Sequence, residues 1–133
     1  MNPNLANTTA LVGRILLAVL FIISGFGKIA GWDGTAGYMA AKGLPMVPVL
    51  LALTIAIELG GGLLLAVGYK ARWAAAAIAL FLIPTTLIFH NFWSVEAAQM
   101  QAQQINFLKN LSILGGMLMV FAFGPGAYSV DRR

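Results

Sequence analysis

The stretch Leu50–Arg72, LLALTIAIELGGGLLLAVGYKAR, decides the fold of this chain. It places one carboxylate, Glu58, inside an apolar and glycine-rich run that ends at Lys70 and Arg72. About 20 apolar residues are the length that crosses a bilayer as a helix. A charged group near the middle of such a helix costs about 2.5–3.5 kcal/mol on insertion scales, so it must face other helices and find a partner among them. The segment therefore reads as a transmembrane helix over about residues 47–67, with one face buried in a bundle.

Composition outside this stretch agrees. Hydrophobic residues make up 60% of the chain and charged residues 9%, against roughly 25% charged in soluble domains. The 133 residues accommodate four crossings of about 20 residues with short connections. The expected fold is all-α: a single membrane domain over residues 1–133, built as a four-transmembrane-helix bundle. Its crossings are expected at about 9–29, 47–67, 73–93 and 104–123. Trp32, Trp73 and Trp93 fall at segment ends, where amphipathic rings settle among lipid headgroups. Between the first two crossings, GWDGTAGYMAAKGLP is too polar to span and reads as a short interfacial helix closed by Gly43 and Pro45. Pro84 is expected to kink the third crossing, because proline cannot donate the helical hydrogen bond. The polar stretch SVEAAQMQAQQ, residues 94–104, can extend the fourth helix beyond the bilayer.

The N-terminal MNPNLANTTALVGRILLAVLF lacks the basic start of a secretory signal, so the first helix is expected to be retained. With an even number of crossings, Arg14, Lys70, Arg72, Arg132 and Arg133 lie on one side, and Lys28, Lys42 and Lys109 on the other. The bias of basic residues toward the cytoplasm then puts both termini there.

Several function classes drop out at this stage. The chain has no cysteine, which removes thiol redox chemistry, disulfides and iron–sulfur ligation by this chain. One histidine cannot complete a usual zinc set or a bis-histidine haem, so no metal site is expected. Asp33, Glu96 and Asp131 lie outside the spans, leaving no intramembrane carboxylate pair. The net charge of +4 comes from scattered basic residues and suits anionic lipid rather than nucleic acid.

Two polar groupings remain. Heptad spacing puts Arg14, Phe21 and Lys28 on one stripe of the first helix, with Ser24 and Gly25 beside it. Thr54, Glu58, Gly61, Gly62 and Leu65 form the facing stripe of the second. At about 1.5 Å per residue, Glu58 lies roughly 13 Å and Arg14 roughly 8 Å from the same membrane surface. A buried Arg14–Glu58 pair is therefore expected, acting in register or in function. Gly61 and Gly62, and Gly115 and Gly116 on the fourth helix, are expected to allow close helix packing. The second grouping, at the other membrane face, contains Lys28, His90, Asn91, Asn106, Lys109 and Asn110. It reads either as an anion-friendly vestibule above Glu58 or as lysines reaching to headgroups and a histidine capping its helix.

Taken in order, GRILLAVLFIISGFGKI, KGLP, AIELGGGLLLAVGYKAR, FHNFW, FLKNLSILGGMLMV and GPGAYSVD resemble the DoxX family of small bacterial membrane proteins. The resemblance runs from about Leu11 to Asp131 and implies four transmembrane helices in the bacterial inner membrane. The family takes its name from a subunit associated with quinol oxidation and thiosulfate:quinone oxidoreduction, and some members are linked to quinone stress and oxidative stress. What this implies is a component without an intrinsic cofactor in a quinone-linked redox or stress system, at most an accessory subunit of an oxidoreductase. Lys28, His90, Lys109 and Asn110 would bind quinone or another small hydrophobic ligand, and Arg14 and Glu58 would hold the bundle or relay a proton. No catalytic residue carries across. A small-molecule transporter and a membrane scaffold are the alternatives, with a redox protein or a second copy as possible partners besides the lipid bilayer.

Overall fold

The computed structural model describes residues 1–132. It is built from helices α1 (Pro3–Ala30), α2 (Trp32–Ala41), α3 (Val47–Ile55), α4 (Gly61–Val67), α5 (Ala71–Phe89) and α6 (Ala97–Phe123), with no strand among the described residues. A π-helical turn, Ala56–Gly60, joins α3 to α4, and a short 3₁₀ turn, Phe92–Ser94, follows α5. Four helical stretches are long and apolar enough to cross a membrane: Pro3–Ala30, Val47–Val67, Ala71–Ser94 and Ala97–Phe123.

The boundaries follow local chemistry. Asn2 accepts a hydrogen bond from the Asn4 backbone N–H, and Pro3 stands in the first turn, so α1 begins six residues before the expected start. Gly68 ends α4 in the left-handed conformation (φ 73°), which a residue without Cβ adopts freely. α5 continues as helix through Pro84 to Phe89. The fourth crossing begins at Ala97, so the polar stretch before Gln104 does prolong it.

Packing is sequential: α1 lies on the second crossing, α4 on α5, and α5 on α6, with a lighter contact between α1 and α6. The core combines Ala18, Phe21, Leu65, Ala75, Ile78 and Met117. Small residues set the spacing. A Cβ on Gly25 would lie 2.9 Å from the Leu59 backbone nitrogen, and one on Gly62 would lie 3.2 Å from that of Ile22. Hence α1 and the second crossing meet almost backbone to backbone. Gly61 makes room for Ile78, and Gly116 for Leu17. Gly115, expected to do the same, has nothing within 4 Å of its would-be Cβ.

At the end of the bundle carrying both termini, the C-terminal segment folds back over the α4–α5 connection. Val130 N–H donates to Val67 O and Asp131 N–H to Gly68 O. Asp131 returns its carboxylate to the backbone N–H groups of Lys70 and Ala71, both at 3.0 Å, covering donors that the start of α5 leaves unpaired.

Candidate functional site

Arg14 and Glu58 are both buried, at 3% and 5% exposure, but they do not pair with each other. The reason is helix register. Gly25 against Leu59 and Gly62 against Ile22 align the antiparallel crossings so that Arg14 lies beside Gly68, ten residues from Glu58 and so about 15 Å along the helix. Arg14 instead donates to the carbonyls of Pro125 (2.6 Å), Tyr128 (3.0 Å) and Ala66 (3.3 Å). The last of these belongs to the closing turn of α4, where carbonyls lack helical partners and the helix dipole favours a cation. Arg14 thus ties the C-terminal segment to the bundle.

The same register brings Ser24 and Lys28, one turn apart on α1, against Glu58. Lys28 Nζ stands 2.7 Å from Glu58 Oε1, and Ser24 Oγ donates to Oε2 at 3.0 Å. Lys28 Nζ also donates to Ser24 Oγ at 2.7 Å, closing a three-membered polar cluster. Although the ammonium is its charge partner, Oε1 has no donor aligned on it in hydrogen-bond geometry. The contact is an ion pair with acceptor capacity to spare. Glu58 is presented from the π-helical turn, where one residue more per turn widens the helix.

This cluster opens onto a cavity of about 270 Å³. An apolar cavity of about 150 Å³ accepts benzene, so this one has room for a substituted ring. Lys28 and Glu58 form its charged wall, Phe81 and Phe89 an aromatic one, and Thr54 and Thr85 add hydroxyl groups. Thr35, Tyr38 and Met39, spaced i, i+3, i+4 on α2, close it from the α2 side. Tyr38 rests on Phe89 with ring centroids 5.4 Å apart. His90 lines the same cavity, and its Nδ1 donates to Gln103 Oε1 at 2.8 Å. With Nδ1 engaged by Gln103, Nε2 is the ring nitrogen left for another hydrogen bond.

Of the four residues expected to hold a ligand, Lys28 and His90 line the chamber and the other two do not. Asn110 donates to Thr86 Oγ1 at 3.0 Å within the α5–α6 contact, and Lys109 is exposed on α6. Sequence reasoning missed the contribution of α2. A helix set down as interfacial carried no sign that one face would cover a chamber. No group of three or more metal-ligating side chains occurs among the described residues.

The profile of the DoxX family matches residues 9–91, more than half of the chain. The chain belongs to the DoxX family. Every residue named above as lining the chamber falls within the matched segment of this DoxX chain, whereas Gln103 and the C-terminal segment held by Arg14 lie beyond it. The inner membrane protein YqjF of Escherichia coli is 41% identical over 128 residues, covering 96% of this chain and 93% of that protein. The inner membrane protein YphA of the same organism is 37% identical over 123 residues, covering 92% and 88%. The ER-derived vesicles protein ERV29 of Saccharomyces cerevisiae is 28% identical over 121 residues, which is 91% of this chain but 32% of the yeast protein. No solved structure matches. With four apolar crossings and these relatives, the DoxX chain is an integral, multi-pass protein of the inner membrane.

Proposed function

We propose that this protein holds a small oxygen-bearing ring of the quinone class beside the Glu58–Lys28 pair. In this role it serves a quinone-linked redox or quinone-stress system of the membrane without an intrinsic cofactor. One observation carries the reading: a buried carboxylate, ion-paired to Lys28 at 2.7 Å, opens onto a ring-sized, partly aromatic chamber at membrane depth. Lys28 can donate to a ring oxygen, and His90 Nε2 can accept from a hydroxyl, so the oxidised and reduced forms of such a ring both find a partner. Glu58 is positioned to accept a hydrogen bond from a ring hydroxyl, with Lys28 and Ser24 steadying its charge. The termini lie on the cytoplasmic side in this reading, which sets the chamber in the outer half of the bilayer. Reporter fusions to the C-terminus and to the α2 connection test that orientation by giving opposite compartments.

Extraction into native-lipid particles followed by mass spectrometry tests the chamber itself. Wild type retains a ring-bearing small molecule, and Glu58→Gln, still folded by circular dichroism and gel filtration, loses at least about 90% of it, as expected when a charged partner in a dry site is removed. Equal retention by the two proteins, or ordinary lipid alone in both, would sink the reading.

A further inference from the structure

The chamber has a second opening. Met39, Thr54, Phe81, Thr85 and Phe89 line it and also line a larger groove, of about 500 Å³, that continues between α3 and α5. The chamber end of this groove carries two threonines, and the remainder is apolar: Leu53, Ile57, Leu80 and Pro84 are among its walls. Leu53 and Leu80 are 53% and 70% exposed, on crossings that stand in hydrocarbon. The groove therefore faces the bilayer core rather than either aqueous side.

Its origin lies in the same local features that present Glu58. α4 packs on α5, where Gly61 admits Ile78, but α3 makes its contacts with α1, α2 and the π-helical turn instead of α5. The second crossing thus diverges from α5 above the turn, and the gap is the groove. Along α5 it extends from Phe89 to Ala77, twelve residues or about 18 Å of helix, in the direction in which lipid chains lie.

We propose that this groove is a lateral port, and that the chamber's ligand is a lipid-soluble amphiphile whose ring sits beside Glu58 while its covalently attached hydrocarbon tail lies between α3 and α5. The proposal rests on the ring-binding reading above and narrows it, from any small ring to a tail-bearing one. The continuity of the two spaces argues for this occupant. A separate bilayer chain would fill the groove without reaching the polar wall, and a helix of a second copy is too wide, at about 10 Å across, to follow it into a ring-sized chamber. Because bilayer chains are as apolar as the groove, the port supplies access and alignment more than affinity. A ligand already dissolved in the membrane reaches Glu58 without crossing α2.

Two photoreactive benzoquinone probes separate the possibilities on the full-length protein in bilayers: one without a tail, and one with a decyl tail bearing a diazirine at its end. The expected result is tail labelling concentrated on the peptides around Leu53 and Leu80, reduced at least five-fold by Ala77→Trp. Ring labelling by the tailless probe on the peptides around Tyr38 and Thr85 then stays within two-fold in that variant, which also reports that it is folded. Tail labels spread over all four crossings, or indifferent to Ala77→Trp, would assign the groove to bulk lipid and overturn the port while leaving the chamber standing. Chamber labelling by the tailless probe with none from the tailed one would do the same. If neither probe labels the chamber, the ring-binding reading and the port fall together.

Discussion

Arg14 and Glu58 are the two buried charges among the described residues, and their surroundings differ in kind. Arg14 spends its guanidinium on three backbone carbonyls, two of them in the C-terminal segment and one at the end of α4. Backbone carbonyls are fixed by the fold, so this end is tied shut. Glu58 is met by two side chains, Ser24 and Lys28, and faces a cavity. Side chains can re-pair, and Lys28 keeps 27% of its side chain exposed. A membrane bundle can therefore carry one buried charge as a structural tie and another as part of a site, and burial alone does not tell them apart; what their partners are made of does.

Removing each charge tests that contrast, with the largest effect expected at Arg14. Arg14→Met leaves the buried carbonyl of Pro125 and the partly buried ones of Ala66 and Tyr128 without their donor. Loss of a donor charge-bonded to three carbonyls costs on the order of 2–4 kcal/mol. We expect a large drop in thermal unfolding temperature and early proteolysis after Tyr128. Glu58→Gln keeps an acceptor for Ser24 and leaves Lys28 partly exposed, so its cost should be about 1–2 kcal/mol. Similar losses from both substitutions would erase the distinction between tie and site.

Gly25 is the point on which the register of the site turns. Its would-be Cβ meets Leu59 Cβ at 2.8 Å and Leu59 N at 2.9 Å, and a backbone atom cannot swing aside. Gly25→Ala should cost about 1–3 kcal/mol by overpacking and should move Ser24 and Lys28 away from Glu58. The check is to measure ligand retention together with stability. Retention should fall in Gly25→Ala although no chamber residue has been altered, and unchanged retention would show that the pair does not depend on this contact.

These residues also mark how far the sequence could be read. The four crossings and the helix between the first two were legible, because hydropathy and length alone decide them. The burial of Glu58 and of Arg14 was legible too, from the cost of a charge in hydrocarbon, but their expected pairing was not what the bundle forms. The choice between Arg14 and Lys28 was not. Both lie on the same stripe of α1, and which one reaches Glu58 depends on an offset between helices that is set by Gly25 and Gly62 in contact. The π-helical turn was equally hidden, since Leu51, Thr54, Glu58 and Leu65 recur at spacings that an ordinary α-helix also satisfies. Asn110 was drawn into the site by its sequence neighbours and belongs to Thr86 instead.

Asp131 gives a smaller effect at the tied end. Its carboxylate covers the Lys70 and Ala71 N–H groups from outside their helix, a service worth about 1–2 kcal/mol. Asp131→Ala should lower the unfolding temperature moderately and leave ligand retention at the far end unchanged. A loss of retention would couple the two ends and contradict their separation.

The smallest effect is expected where two adjacent glycines of α6 part company. Gly116 admits Leu17 of α1, whose side chain would stand 3.1 Å from an added Cβ, whereas Gly115 has open space. Within a single copy, Gly115→Ala should change stability by less than about 0.5 kcal/mol, with alanine's better helix propensity setting the sign. Gly116→Ala should be measurably worse, because Leu17 must move. Gly115 is thus a sensitive probe of contacts beyond one chain: α6 shows most of its surface outward, and a second copy packed there would use the open glycine. If Gly115→Leu weakens self-association in bilayers, measured by energy transfer between labelled copies, the outward face of α6 is an assembly surface. If association is unaffected, that glycine faces lipid.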